Sequence, residues 1–155
     1  MLPYPQKFKI SSGAGFAFQE LVAFDSALIA AGISNYNLLR VSSILPINCC
    51  QAEVLDKKEG SALLVAYGST TSRTFGETIA SAVGIGIPED DAQVGVIMEF
   101  AGSCGADFAA EQVKEMVAAA MKNHGISCRD ILVSSTEAIV PIGEYAAVIS
   151  AVALW

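Results

Sequence analysis

Two adjacent hydroxyls, Ser42 and Ser43, lie in the stretch NLLRVSSILP, between apolar residues and with Pro46 three positions on. A serine hydroxyl held in a tight turn can attack the carbonyl carbon of the residue before it, which for Ser43 is Ser42. The amide then becomes an ester by an N-to-O acyl shift. Elimination of that ester breaks the chain and turns Ser43 into dehydroalanine. Hydrolysis leaves a pyruvoyl group and releases ammonia. The product is a ketone at a new chain start, the electron sink that amino-acid decarboxylation needs, without pyridoxal phosphate. A turn that holds Ser43 near attack geometry supplies much of the rate, and strain at the Ser42–Ser43 bond adds to it. The pair alone does not select this chemistry. Ser134–Ser135 is a second such pair, and a strand running into a loop accounts for either.

Glu99 is the second residue with chemical interest. In GVIMEFAG, strand alternation places Val96, Met98 and Phe100 on one face and Ile97 and Glu99 on the other. A carboxylate in apolar surroundings loses solvation, and its protonated form gains. Such a group can act as a general acid near neutral pH. A solvent-facing or subunit-interface glutamate fits the same spacing. Other chemistries find less support. A serine hydrolase needs a base beside the nucleophile, and the single histidine, His124, sits in MKNHGI at a helix end. No GxSxG elbow and no GxxxxGK[ST] phosphate loop is present, and GIGIPEDD lacks the third glycine of a dinucleotide loop. Cys49, Cys50, Cys104 and Cys128 form no CxxC pair and read as reduced, buried small hydrophobes. With one histidine, no metal site is expected.

The elements that must position these residues fit into a single domain, residues 1–155, long enough for one real core. Hydrophobic residues make up 53% and charged ones only 16%, so little polar material remains to cover the surface, and an oligomer that buries apolar faces is expected. No apolar run reaches the roughly 18 residues of a spanning helix, and MLPYPQKFKISSG has no apolar signal core. A cytoplasmic protein with no membrane association is expected. The formal net charge of −7, with Lys and Arg dispersed, argues against nucleic acid and favours attraction of a cationic small molecule.

A first helix is expected over Phe18 to Ala31, with Phe18, Leu21, Val22, Leu28 and Ile29 on its buried face and Gly32 ending it. Asp25 lies within it. Strands are expected at 37–41, 49–55 (CCQAEVL), 61–69, 77–88 and 92–102, with two more in the last third. A second helix is expected over 107–125, capped by Asp107, burying Phe108, Val113, Met116, Val117 and Met121 and stopped by Gly125. Two helices and six or seven strands make an α+β domain, a layered sandwich of mostly antiparallel sheets covered by helices.

The segment AFDSALIAAGISNYNLLRVSSILP (23–46), together with GVIMEF (95–100), resembles the pyruvoyl-dependent arginine decarboxylase family. The pattern AGI-x-x-x-NL-x-x-VSSI-x-P, followed at the expected distance by a strand bearing IMEF, carries the resemblance. The general layout is similar over most of the chain. The resemblance implies that Ser43 becomes the pyruvoyl group and that the cut falls after Ser42, giving a β chain of residues 1–42 and an α chain of 43–155. It implies that Asn37 supports the site and self-processing, that Glu99 is the proton donor to the α-carbon, and that Asp25 pairs with the substrate guanidinium. A carboxylate and a guanidinium fit bidentately. It also implies a trimer of αβ units with active sites between neighbours. The reaction implied is conversion of L-arginine to agmatine and CO2 through a Schiff base on the ketone, with a covalent pyruvoyl group as cofactor and neither pyridoxal phosphate nor metal. Two alternatives stay open: decarboxylation of another amino acid, such as lysine, ornithine or aspartate, and an uncut, non-catalytic binding protein on the same scaffold.

Overall fold

The computed structural model describes residues 2–155. Its elements in chain order are β1 (Lys7–Ala17), α1 (Glu20–Ala31), β2 (Asn37–Arg40), β3 (Ile44–Leu45), β4 (Cys50–Gln51), β5 (Ala62–Ser72), β6 (Thr78–Pro88), β7 (Gly95–Gly102), α2 (Ala106–Asn123), β8 (Cys128–Ile139) and β9 (Tyr145–Leu154). They form two sheets, β2-β5-β9-β1-β4 and β3-β7-β6-β8. Pairing is antiparallel except for the short edge pairs β1/β4 and β2/β5, which are parallel. The sheets stack face to face, α1 covers the outer side of the first, and α2 covers the outer side of the second. The α+β layered sandwich expected from sequence is the fold observed.

The central strands are buried on both faces, which suits their apolar runs. β9 is buried from Ala146 to Leu154. Along β5, Leu64, Ala66 and Gly68 point between the sheets, while Leu63, Val65 and Tyr67 point toward α1. The inter-sheet core has two apolar lobes. One gathers Phe8, Leu45, Val83, Ile85, Ile97 and Val152, and the other gathers Ile79, Ala138, Val140 and Val148. Each large buried side chain contributes about 1.5–3 kcal/mol. A row of hydroxyls lies within the same gap. Ser12 bonds to Ser134 and to Ser150, each at 2.7 Å, and Ser150 bonds to Ser81 at 2.8 Å. These serines satisfy one another, as buried hydroxyls must.

Several expectations are corrected. β1 is absent from those expectations, yet it is an eleven-residue interior strand of the first sheet, between β9 and β4. The stretch 49–55 forms only the two-residue β4, paired to the start of β1. The first helix begins at Glu20 and turns its small face inward: Ala23, Ala27, Leu28 and Ala31 are buried, whereas Phe18, Leu21, Val22 and Ile29 are exposed. The cause is close approach. A Cβ on Gly13 would lie 2.3 Å from the carbonyl oxygen of Ala27, and one on Gly15 would lie 2.4 Å from the Ala27 nitrogen. At that spacing only glycine fits on the strand beneath Ala27, and the helix meets it with a mostly alanine face. In α2 the N-cap is Gly105 rather than Asp107, Phe108 is exposed, and Met116 is only half-buried. His124 occupies the C-cap, and Gly125 follows in the left-handed conformation at φ 67°. Cys50 is exposed and the other three cysteines are half-buried, so the thiols are not the core residues expected.

Candidate active site

β2 belongs to the first sheet and β3 to the second, so Val41, Ser42 and Ser43 carry the chain across the gap between them. Both ends of this crossing are tied down. The Val41 N–H donates to the Val65 carbonyl at 3.0 Å, and the Ser43 carbonyl accepts from the Ile97 N–H at 2.8 Å. Among the described residues the backbone of Ser42 makes no such bond. The Ser42–Ser43 peptide bond is therefore the free part of a short span between two fixed points. A cut there leaves Val41 on β5 and Ser43 on β7.

Ile97 stands two residues before Glu99 on the same face of β7. That face points between the sheets, while Met98 and Phe100 pack beneath α2 on the other. The alternation read from GVIMEF is the one observed. Space for the Glu99 side chain comes from Gly68 opposite, where a Cβ would lie 3.1 Å from the Glu99 Cβ. Gly68 is in register with Ser150, and Ser150 with Ser12, so Glu99 stands at the end of the hydroxyl row. Its side chain keeps 28% of its accessible surface. Burial pushes the Glu99 carboxyl above its ordinary value of 4.5, and the nearby Arg40 guanidinium partly opposes that rise.

Arg40 is fixed by three contacts. Its Nη2 donates to the Tyr67 carbonyl at 2.8 Å, and its guanidinium lies 4.5 Å from the centroid of the Tyr67 ring. Nη2 is also 3.9 Å from Glu99 Oε1. The Tyr67 ring in turn leans on Phe24 of α1, with centroids 6.5 Å apart.

The structure thus brings Ser42, Ser43 and Glu99 into one place. Asn37 is elsewhere in the single chain. It opens β2, donates from Nδ2 to the Gly60 carbonyl at 2.8 Å, and stands six residues before Ser43, roughly 20 Å of extended strand. Asp25 is exposed on α1, on the outer side of the first sheet, while Glu99 lies on its inner side. Arg40, Tyr67 and Gly68 were not singled out from sequence. Their available signals were an arginine directly before the serine segment and a glycine inside an apolar strand. Among the described residues, no cluster of three or more His, Cys, Asp or Glu side chains is arranged to hold a metal, and no helix is long and apolar enough to cross a membrane.

Residues 7–155 match the family model described as pyruvoyl-dependent arginine decarboxylase. The chain belongs to the pyruvoyl-dependent arginine decarboxylase family. The relative from Methanococcus aeolicus, a pyruvoyl-dependent arginine decarboxylase, is 35% identical over 99% of this chain and 93% of its own length. That from Pyrococcus abyssi, of the same name, is 35% identical over 96% of this chain and 94% of its own. That from Methanocaldococcus jannaschii is 38% identical over 72% of this chain and 68% of its own. Among solved structures, a pyruvoyl-dependent histidine decarboxylase superposes with a TM-score of 0.53 at 16% identity, over 64% of this chain and 52% of that one. That likeness is one of fold. The resemblance read from 23–46 and 95–100 is confirmed over nearly the whole chain. Membership makes the protein a decarboxylase of the pyruvoyl class, with a covalent pyruvoyl group in the role that pyridoxal phosphate fills elsewhere.

Proposed function

We propose that the chain cuts itself between Ser42 and Ser43 and, with the pyruvoyl group formed from Ser43, converts L-arginine to agmatine and CO2. The observation that carries this reading is the crossing segment. Its free peptide bond lies between two anchored residues, and one anchor is two residues from a partly buried glutamate on the same strand face. The residues present suit such a group. Ser43 supplies the hydroxyl, and Gly68 opposite has no side chain to fill the space beside Glu99. The pyruvoyl group supplies an electrophilic carbonyl that takes the substrate amine and accepts electrons as CO2 leaves. Glu99, favoured in its protonated form by burial, holds the proton that goes to the α-carbon.

Asp25 then binds the guanidinium of arginine, and Asn37 supports the site, each from a neighbouring subunit in a trimer of αβ units. Two features support that assembly. Both residues are exposed and lie away from Ser43 in a single chain. Phe18, just before α1, and Leu21, Val22 and Ile29 on it are apolar and uncovered, which a monomer rarely tolerates. The cysteines are all free, as fits a reducing cytoplasm.

The test is a pair of variants assayed for cutting and for CO2 release from labelled arginine. Ser43→Ala should remain one chain and be inactive. Glu99→Gln should still cut and lose most decarboxylation. An active Ser43→Ala protein would refute the reading. Release of CO2 from lysine or ornithine at the rate seen with arginine would overturn the substrate.

A further inference from the structure

Arg40 has a position that the reaction above does not use. It lies two residues before the cut, and its guanidinium stands 3.9 Å from the Glu99 carboxylate. It is the charged group facing Glu99 among the described residues. β5, opposite, presents Gly68 and, on its far face, Tyr67, whose ring carries the guanidinium. β6 and β3 have no titratable side chain, and the tyrosine of β9, Tyr145, is five residues along from Ser150. α2 covers the opposite face of β7.

Cutting the chain changes the charge around Arg40. It creates a carboxylate at Ser42, a single residue beyond the last backbone anchor at Val41. In an extended segment residues 40 and 42 project to the same side. The Arg40 side chain is 58% exposed, and its 3.9 Å approach to Glu99 is too long for a hydrogen bond, so of its three contacts this is the one most readily exchanged while Tyr67 keeps its hold. A carboxylate at the end of its own chain can meet it bidentately.

Resting on the self-cutting reading, we propose that Arg40 is a positioning residue that restrains the proton affinity of Glu99 in the uncut chain and is drawn off by the new Ser42 carboxylate once the chain is cut. The opposition that Arg40 offers to the burial of Glu99 is then divided between two carboxylates. Glu99 gains its proton more readily in the form of the protein that has a pyruvoyl group to serve. Cutting and arming of the proton donor become one event.

The experiment follows the Glu99 carboxyl by carbon NMR across a pH titration in protein labelled at glutamate, with the signal assigned by its loss in Glu99→Gln. Four proteins are compared: Ser43→Ala, which stays uncut, and the cut wild-type chain, each with Arg40 or with Arg40→Met. In the uncut chain Arg40→Met should raise the Glu99 midpoint. In the cut chain the same substitution should raise it by about half as much or less, as expected for one guanidinium shared by two carboxylates. Arg40→Lys keeps the charge and should restore most of the uncut midpoint, which a merely structural role for Arg40 would not require. Equal effects of Arg40→Met in the two forms, or none in the uncut form, would overturn the inference and leave the self-cutting reading standing. A wild-type chain whose mass shows no cut would overturn both.

Discussion

Replacing Gly68 by alanine isolates the space that Glu99 occupies. The added methyl would lie 3.1 Å from the Glu99 Cβ, 3.3 Å from the Phe100 nitrogen and 3.4 Å from the Glu99 Cγ. None of these is a hard collision, but the first two are tighter than ordinary van der Waals contact, so the glutamate must give by a few tenths of an ångström. Overpacking of this kind costs about 1 kcal/mol, at the lower end of the usual range, and lowers the melting temperature of a domain this size by about 2–4 °C. The effect on the reaction is larger. A displacement near 1 Å at a catalytic group costs about a hundredfold in rate; a smaller displacement of the proton donor should cost about tenfold. The assay is labelled CO2 release at saturating arginine, with thermal unfolding at fixed protein concentration and the extent of cutting measured alongside. Gly68→Ala should cut normally and melt close to wild type, with its turnover depressed. Wild-type turnover would refute the claim that the setting of Glu99 opposite Gly68 matters. A melting temperature lowered by more than about 10 °C would show that Gly68 serves packing instead.

Glu99 also gives a pH signature. Its folded pKa is raised above 4.5 by burial, so its stabilising contribution is complete below that value and is lost as pH rises through the folded pKa. Relative to Ser43→Ala carrying Glu99→Gln, Ser43→Ala alone should lose stability as pH rises from 4 toward neutrality; parallel melting curves would contradict this. Ser150→Ala removes the bond to the fully buried Ser81 and should cost about 1–3 kcal/mol in urea unfolding. A loss below about 0.5 kcal/mol would mean that the hydroxyl row is not part of what holds the sheets together. Asp25→Asn should raise the KM for arginine by about tenfold to a hundredfold, the worth of a charge-assisted pair, with a smaller change in kcat; an unchanged KM would remove Asp25 from the substrate site.

The parts legible in the sequence were those governed by strong local patterns. Apolar runs bounded by turns marked β5, β6, β7 and β9, and the i, i+4 recurrence of Val113, Val117 and Met121 marked α2. The face borne by Glu99 followed from alternation alone. What stayed hidden depended on distant partners. KFKISSGAGFA is poor in β-branched residues and gives little strand signal, yet Gly13 and Gly15 let α1 sit on β1. That same approach reverses the helix, because the tight interface selects alanine and turns Leu21 and Ile29 outward. The crossing at Ser42–Ser43 was also invisible, since only the sheet assignments of β2 and β3 show that the serines bridge two layers.

The central claim is the cut itself, and denaturing mass spectrometry of the purified protein tests it most directly. Two pieces divided between Ser42 and Ser43 are predicted, with the larger lacking a free amino terminus and carrying the mass of a pyruvoyl group in place of its serine. A single intact chain that persists through prolonged incubation would contradict the account.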